Sequence, residues 1–152
     1  MDLEDIADVA ALEAEVFPDA WSVDSFLAEI ERKPEIGYPL VVRDEDTDEL
    51  IAYAVVWFIV DELHIGNIAV RPDLQGRGIA AQLMEHIIEE GRRRALSFAT
   101  LEVRPSNAPA VALYDRFGFK KIAVRKNYYR DNQEDAHVLA LALTPAGEAR
   151  FA

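Results

Sequence analysis

Apolar residues recur along the first segment at Leu3, Ile6, Val9, Leu12 and Val16, spacings that place them on one face of a helix ending near Phe17-Pro18. Ser22 is placed to cap a second helix, whose buried side is Phe26, Leu27 and Ile30 until Pro34 stops it. The pattern then changes. Tyr38 to Arg43 and Leu50 to Phe58 are rich in β-branched and aromatic residues and flank the acidic run Asp44 to Glu49, which reads as an exposed hairpin turn. Glu62 to Val70 is a third strand. It feeds a glycine-bearing segment and a long helix, from about Gly76 to Arg94, that buries Ile79, Leu83, Ile87 and Ile88. On its outer face Glu89 with Arg93, and Glu90 with Arg94, stand four residues apart as ion pairs oriented well for the helix dipole. Phe98 to Val103 is the next strand, Ser106 caps a helix from Asn107 to Phe117, and Gly118 supplies its C-terminal turn. Phe119 to Arg125 and Ala136 to Leu143 form a second hairpin. The order helix, helix, three strands, helix, strand, helix, two strands predicts an α+β fold, and no repeat or linker divides it.

Composition narrows what such a chain can be. At 152 residues it is long enough to bury a core and fits one domain, 1–152. A hydrophobic share of 51% excludes general disorder, and no apolar run approaches the roughly 18 residues of a membrane helix. The residues after Met1 are acidic rather than basic and then apolar, so no secretory signal is expected and cytoplasmic residence is. Without cysteine there is no disulfide framework, no thiolate zinc site and no acyl-cysteine intermediate. His64, His86 and His137 lack ligand spacing and read as strand or helix positions, so no metal is expected. A net charge of −12 argues against nucleic acid as the main partner. Besides an ordinary solvated surface, the acidity fits a cationic substrate or a salt-rich host, the latter because four lysines stand against twelve arginines.

Candidate chemistry lies first in Asn67-Ile-Ala-Val-Arg-Pro-Asp-Leu-Gln-Gly-Arg-Gly-Ile-Ala80, where an apolar strand runs into a glycine loop that opens a helix. Gly76 and Gly78 let the backbone turn tightly and bring N–H groups close to a ligand, and the positive end of the helix dipole favours phosphate. No Gly-Lys-Ser/Thr follows and the three-glycine dinucleotide fingerprint is absent. Gln75-Gly-Arg-Gly-Ile-Ala80 instead resembles the Gln/Arg-x-x-Gly-x-Gly/Ala loop of the GCN5-related N-acetyltransferases, which holds the pyrophosphate of acetyl-CoA. By that resemblance Gln75, Gly76, Arg77, Gly78, Ile79 and Ala80, with Ile68, Ala69 and Val70 of the preceding strand, bind acetyl-CoA, and the fold is a single-domain mixed sheet flanked by helices. The family usually has a strand before the first helix. Here the helix begins almost at Met1, so that strand is either lost or lies before a start placed too late.

A second block runs from Leu101 to Phe119. Glu102 points away from Leu101 and Val103 and can approach a cleft, while Tyr114 shares a helix face with Ala110 and Phe117. Taken alone, Glu102 reads as a surface carboxylate and Tyr114 as a core aromatic. Asp61-Glu62, Asn67 to Val70, Leu101 to Arg104, Ser106-Asn107, Ala112 to Tyr114, Phe117 to Phe119 and Arg125 to Tyr129 together resemble the ribosomal-protein-alanine N-acetyltransferases, the RimI type. The resemblance implies that Glu102 removes the amine proton, Tyr114 protonates the departing thiolate, and Asn107 holds the pantetheine arm. It also implies that Trp21, Asn67, Tyr128 and Tyr129 lie against the substrate N-terminus. Phe17-Pro-Asp-Ala-Trp-Ser22 carries two more residues than the family's Phe-Pro-Trp-Ser, which bears on peptide specificity.

The chemistry agrees with these residue types, since a neutral amine must attack a thioester and a thiolate must leave. Neutralising an α-amine at pH 7 costs roughly 1 kcal/mol and a lysine roughly 4.6, so a carboxylate base suits a protein N-terminus more easily. The expected partners are acetyl-CoA and a polypeptide N-terminus, that of ribosomal protein S18 by resemblance. Another N-terminus, a lysine or a small amine is the near alternative, and a non-catalytic acyl-CoA sensor is the alternative of a different class.

Overall fold

The structure is a computed structural model that describes residues 1–151. A turn of 3-10 helix, Leu3–Asp5, leads into α1 (Ile6–Val16), followed by α2 (Val23–Glu31), β1 (Gly37–Arg43), β2 (Leu50–Ile59) and β3 (Glu62–Val70). After a 3-10 turn at Pro72–Leu74 come α3 (Ile79–Arg93), β4 (Phe98–Val103), α4 (Ala108–Arg116), β5 (Lys120–Arg125), β6 (Ala136–Ala142) and α5 (Pro145–Arg150). The six strands form one mixed sheet in the order β1-β2-β3-β4-β6-β5. By its contacts the chain divides into two compact units, Met1–Phe58 with Gly66–Glu85, and Ile59–Ile65 with the chain from His86 onward. Among the described residues no strand precedes α1, and no helix is long and apolar enough to cross a membrane.

In the first unit Ile6, Val9 and Leu12 of α1 and Phe26 of α2 pack with Leu50, Tyr53, Val55 and Ala69. Leu3, predicted to share that face, is 71% exposed, because the tight opening turn rotates it off the α-helical stripe. Ser22 caps α2 as expected, its hydroxyl accepting from Ser25 N at 3.2 Å. β1 and β2 are antiparallel, and Arg43 at the end of β1 reaches Asp5 at 2.7 Å and Asp8 at 3.2 Å. The Asp44 to Glu49 turn is held by Asp44, whose side chain accepts from the N–H groups of Asp46 and Thr47 at 2.9 Å. Gly66 is required by close approach, since a Cβ there would stand 2.4 Å from the Trp57 ring.

In the second unit the first half of β3 pairs parallel with β4, from Glu62 opposite Phe98 to Ile65 opposite Leu101. β4 pairs antiparallel with β6, and β6 with β5, where the register slips around Ile122. α4 starts at Ala108 with Asn107, not Ser106, as its cap, for Ser106 is held elsewhere by Glu134. Gly118 makes the predicted turn at φ +89°. The sequence reading misses α5, capped by Thr144 with Pro145 at its first position.

α3 begins at Ile79 rather than near Gly76, because Gly76 and Gly78 have positive φ and cannot continue a right-handed helix. Leu83, Met84, Ile87 and Ile88 are its buried apolar side chains, and Ile79 is only half-buried. Glu90 takes both Arg93 and Arg94, the latter at 2.7 Å, and these two guanidiniums hold its carboxyl down at about 2.

Candidate active site

The glycine loop is shaped by its backbone. Gln75 closes the Pro72–Leu74 turn and its side-chain amide donates to Val70 O at 3.1 Å, folding the loop against the end of β3 that carries Ile68, Ala69 and Val70. Gly76 and Gly78 then adopt φ of +79° and +81°, and nothing stands within 4 Å of where their Cβ atoms would be. Backbone conformation, not crowding, therefore requires glycine, and the space before the loop is open. Gln82 N bonds Gly78 O at 3.0 Å, so the N–H groups of Ile79, Ala80 and Ala81 open the helix without intrahelical acceptors. Exposed Arg77 adds a cation. These donors and this charge fit a pyrophosphate.

Also in the first unit, Trp21 and Asn67 are drawn together by Glu13, a residue that the sequence reading missed. Glu13 is buried on α1 and accepts from Trp21 N at 3.0 Å, from Asn67 Nδ2 at 2.8 Å, and from the Tyr53 hydroxyl. Burial, helped by Asp19, pushes its carboxyl up, and the bonds from Trp21 and Asn67 offset this only in part. Trp21 stacks on Trp57 with ring centroids 6.2 Å apart, so despite its two extra residues the loop before α2 is anchored at both backbone and ring. Glu13 lies one turn after Val9 on the apolar face of α1; a carboxylate in that stripe was the available signal.

In the second unit, Glu102 sits between buried Leu101 and Val103 and faces His64 of β3. Its Oε2 is 3.0 Å from His64 Nε2, and its Oε1 accepts from Arg125 Nε at 3.2 Å. Burial pushes the Glu102 carboxyl up, but His64 and then Arg125 outweigh it and hold it below the usual carboxylate range. For His64, burial opposes the charged form, while Glu102 and Glu62 prevail and raise it above the ordinary imidazole value. The bare strand position read for His64 is thus a hydrogen-bonded partner of Glu102. Among the described residues no group of three or more His, Cys, Asp or Glu is placed to hold a metal.

Tyr114 is buried on α4 with its ring edge-on to Phe119, centroids 5.8 Å apart. Burial pushes its hydroxyl up to about 12, so it stays protonated at neutral pH. Asn107 is exposed and spends its side-chain oxygen on Ala110 N at 3.3 Å, so its amide N–H groups are not used in the cap.

Asn127 to Tyr129 lie in the β5–β6 connection, with Tyr128 exposed and Tyr129 half-buried. Arg104, also missed, fixes this segment. Its guanidinium lies 3.8 Å from the Tyr129 ring centroid, and it reaches Asp131 at 2.8 Å and Glu134 at 3.5 Å. Glu134 in turn accepts from Ser106 N at 3.0 Å and from its hydroxyl at 2.8 Å, linking the connection to the start of α4. Asp135 closes the other end on Asn127 N at 2.9 Å.

A strand that runs through a positive-φ glycine loop into a long helix is an arrangement suited to the pyrophosphate of an acyl-CoA. The sequence pattern of the acetyltransferase (GNAT) family matches residues 6–119. A Bacillus subtilis (strain 168) protein described as a candidate [ribosomal protein bS18]-alanine N-acetyltransferase is 37% identical over 139 residues, 91% of this chain and 90% of its own. The crystal structure of the ribosomal-protein-S18-alanine N-acetyltransferase from Escherichia coli superposes with a TM-score of 0.85 at 33% identity, covering 97% of this chain and 94% of that one. The NatC complex bound to Gag peptide and CoA gives 0.80 at 27% identity, covering 94% and 93%. This chain belongs to the GNAT acetyltransferase family.

Proposed function

We propose that the protein transfers the acetyl group of acetyl-CoA to the N-terminal α-amine of ribosomal protein S18, the amine attacking the thioester directly with both substrates bound. The observation that carries this reading is the 37% identity to a bS18-alanine N-acetyltransferase relative over 91% of the chain, a span that takes in the glycine loop, Glu102 and Tyr114 together. Acetyl-CoA supplies the activated acyl group. The backbone of Gly76 to Ala80, with Gln75 and Arg77, holds its pyrophosphate, Ile68 to Val70 line the acetyl end, and Asn107 holds the pantetheine arm. Trp21, Asn67, Tyr128 and Tyr129 are the residues assigned to the acceptor N-terminus. Glu102 takes the first proton from the amine. Tyr114 hydrogen-bonds the sulfur as the C–S bond breaks. A phenol of pKa about 12 is a weaker acid than a thiol, so full transfer to sulfur is completed by the second proton the amine sheds. The single GNAT domain acts in the cytoplasm on this reading, where both substrates are found.

A second acceptor class is favoured by one feature, the two extra residues in Phe17-Pro-Asp-Ala-Trp-Ser22, which alter the loop carrying Trp21 and point to a different N-terminal sequence. One experiment separates the two. Purified protein is incubated with acetyl-CoA and S18 bearing a free N-terminus, and in parallel with host lysate, and new acetyl groups are mapped by mass spectrometry. Acetylation of the S18 α-amine is expected; acetylation of other N-termini without S18, or of lysines alone, overturns the acceptor assignment.

A further inference from the structure

Glu62 and His64 alternate on β3 as Thr100 and Glu102 do on β4, and the parallel register sets His64 opposite Thr100. All four side chains therefore share one face of the sheet. Thr100 donates its single hydroxyl proton to Glu62. The Thr100 oxygen thus presents lone pairs to His64 Nδ1, 2.8 Å away, and Nδ1 carries the hydrogen. That leaves Nε2 as the nitrogen that gains and loses a proton, and it faces Glu102 Oε2 at 3.0 Å. An unprotonated nitrogen and a carboxylate oxygen at that distance repel, so the pair binds a proton more tightly than an isolated carboxylate does. The charged and titratable groups around His64 include Glu62 on its own strand, Glu102 on β4 and, through Glu102, Arg125 on β5.

We infer that His64 is a positioning residue that completes the base: the proton taken from the substrate amine at Glu102 is held between Glu102 Oε2 and His64 Nε2. This rests on Glu102 being the base. One N–H bond of the substrate ammonium breaks with its electron pair staying on nitrogen. The proton bonds to the Glu102–His64 pair, and after acetyl transfer it passes to water and restores the pair. The same geometry accounts for a carboxylate that is by itself a poor proton acceptor, since Arg125 and His64 both favour its charged form. Titration then belongs to the pair rather than to either residue, and the pair is available as a base only once His64 is neutral.

The test combines nitrogen-15 NMR titration of the histidines with single-turnover rates from pH 5.5 to 9, at saturating acetyl-CoA and an S18 N-terminal peptide. Wild-type, His64→Gln and Glu102→Gln proteins are compared, with circular dichroism and acetyl-CoA affinity as controls of folding. Neutral His64 should show the Nδ1–H tautomer, and its pKa should drop by about one pH unit in Glu102→Gln. Ionisation of the peptide amine is common to both proteins, so it cancels in the ratio of wild-type to His64→Gln rates. That ratio should rise about tenfold or more as pH passes the His64 pKa read by NMR. A ratio independent of pH while Glu102→Gln is inactive overturns the shared proton and leaves Glu102 as a lone base. Full activity of Glu102→Gln overturns the base assignment itself, and the inference with it. Should His64→Gln fail to fold, the wild-type spectrum still decides, because an Nε2–H tautomer excludes the arrangement.

Discussion

At the scale of single residues, the side chains that look alike in sequence are separated by their partners. Tyr53 and Tyr114 are both buried aromatics, but Tyr53 gives its hydroxyl to Glu13, whereas Tyr114 meets Phe119 only through its ring. Tyr114→Phe keeps that ring contact, so acetyl-CoA affinity and unfolding midpoint should stay unchanged while turnover falls about 10²–10³-fold, the scale of one lost transition-state hydrogen bond. Rapid-quench kinetics with the chemical step limiting, beside calorimetry for the cofactor, check it; a loss under threefold returns Tyr114 to the core. Glu13→Ala should act differently. It strands the Tyr53 hydroxyl, the Asn67 amide and the Trp21 N–H, and a buried donor left without a partner costs about 1–3 kcal/mol. Urea unfolding should show that loss, and KM for the peptide should rise while KM for acetyl-CoA holds, since Trp21 and Asn67 lose their common anchor and the glycine loop does not touch it.

At the scale of elements, periodicity finds what packs and is blind to what is then bonded. The spans of β3 and β4 and the starts of β2 and β6 coincide with runs rich in apolar, β-branched and aromatic residues, because buried strands select them. α5 escapes it, being a short final helix with a cap and too few turns for a stripe. Glu13, His64 and Arg104 escape it for another reason, as their roles are fixed by partners as many as 54 residues away, such as Asn67 on Glu13. The glycine loop was legible because positive φ leaves a direct mark on residue choice. That gives a prediction with two arms. At Gly78, φ +81° strains any β-branched residue, but asparagine tolerates left-handed backbone, and open space surrounds the Cβ position. Gly78→Val should lose stability and acetyl-CoA binding together. Gly78→Asn should fold near wild-type stability and still bind acetyl-CoA weakly, because its side chain enters the space a pyrophosphate would take. Thermal unfolding and calorimetry on both proteins separate strain from obstruction; full affinity in Gly78→Asn would remove the phosphate role.

At the scale of the whole molecule, the net charge of −12 opposes one substrate and favours the other. Acetyl-CoA is an anion, so the long-range field repels it, and only the short-range donors at Gly76 to Ala80 with Arg77 attract it. A peptide bearing Lys or Arg after its first residue is drawn in by the same field. Ionic strength separates range from contact, since the Debye length falls from about 30 Å at about 0.01 M to about 8 Å at about 0.15 M. Over that interval the long-range part is largely screened while contacts at the loop persist. Steady-state kinetics in a potassium chloride series should therefore give kcat/KM slopes of opposite sign, rising for acetyl-CoA and falling for the basic peptide, with an uncharged peptide of equal length nearly flat. Unfolding temperatures in the same series test the competing origin of the acidity. A surface suited to a salt-rich environment gains stability steeply as like-charge repulsion is screened, and its two kcat/KM values rise together with the folded population. Opposite slopes at constant unfolding temperature assign the charge to acceptor capture, and parallel slopes assign it to the solvent in which the protein folds.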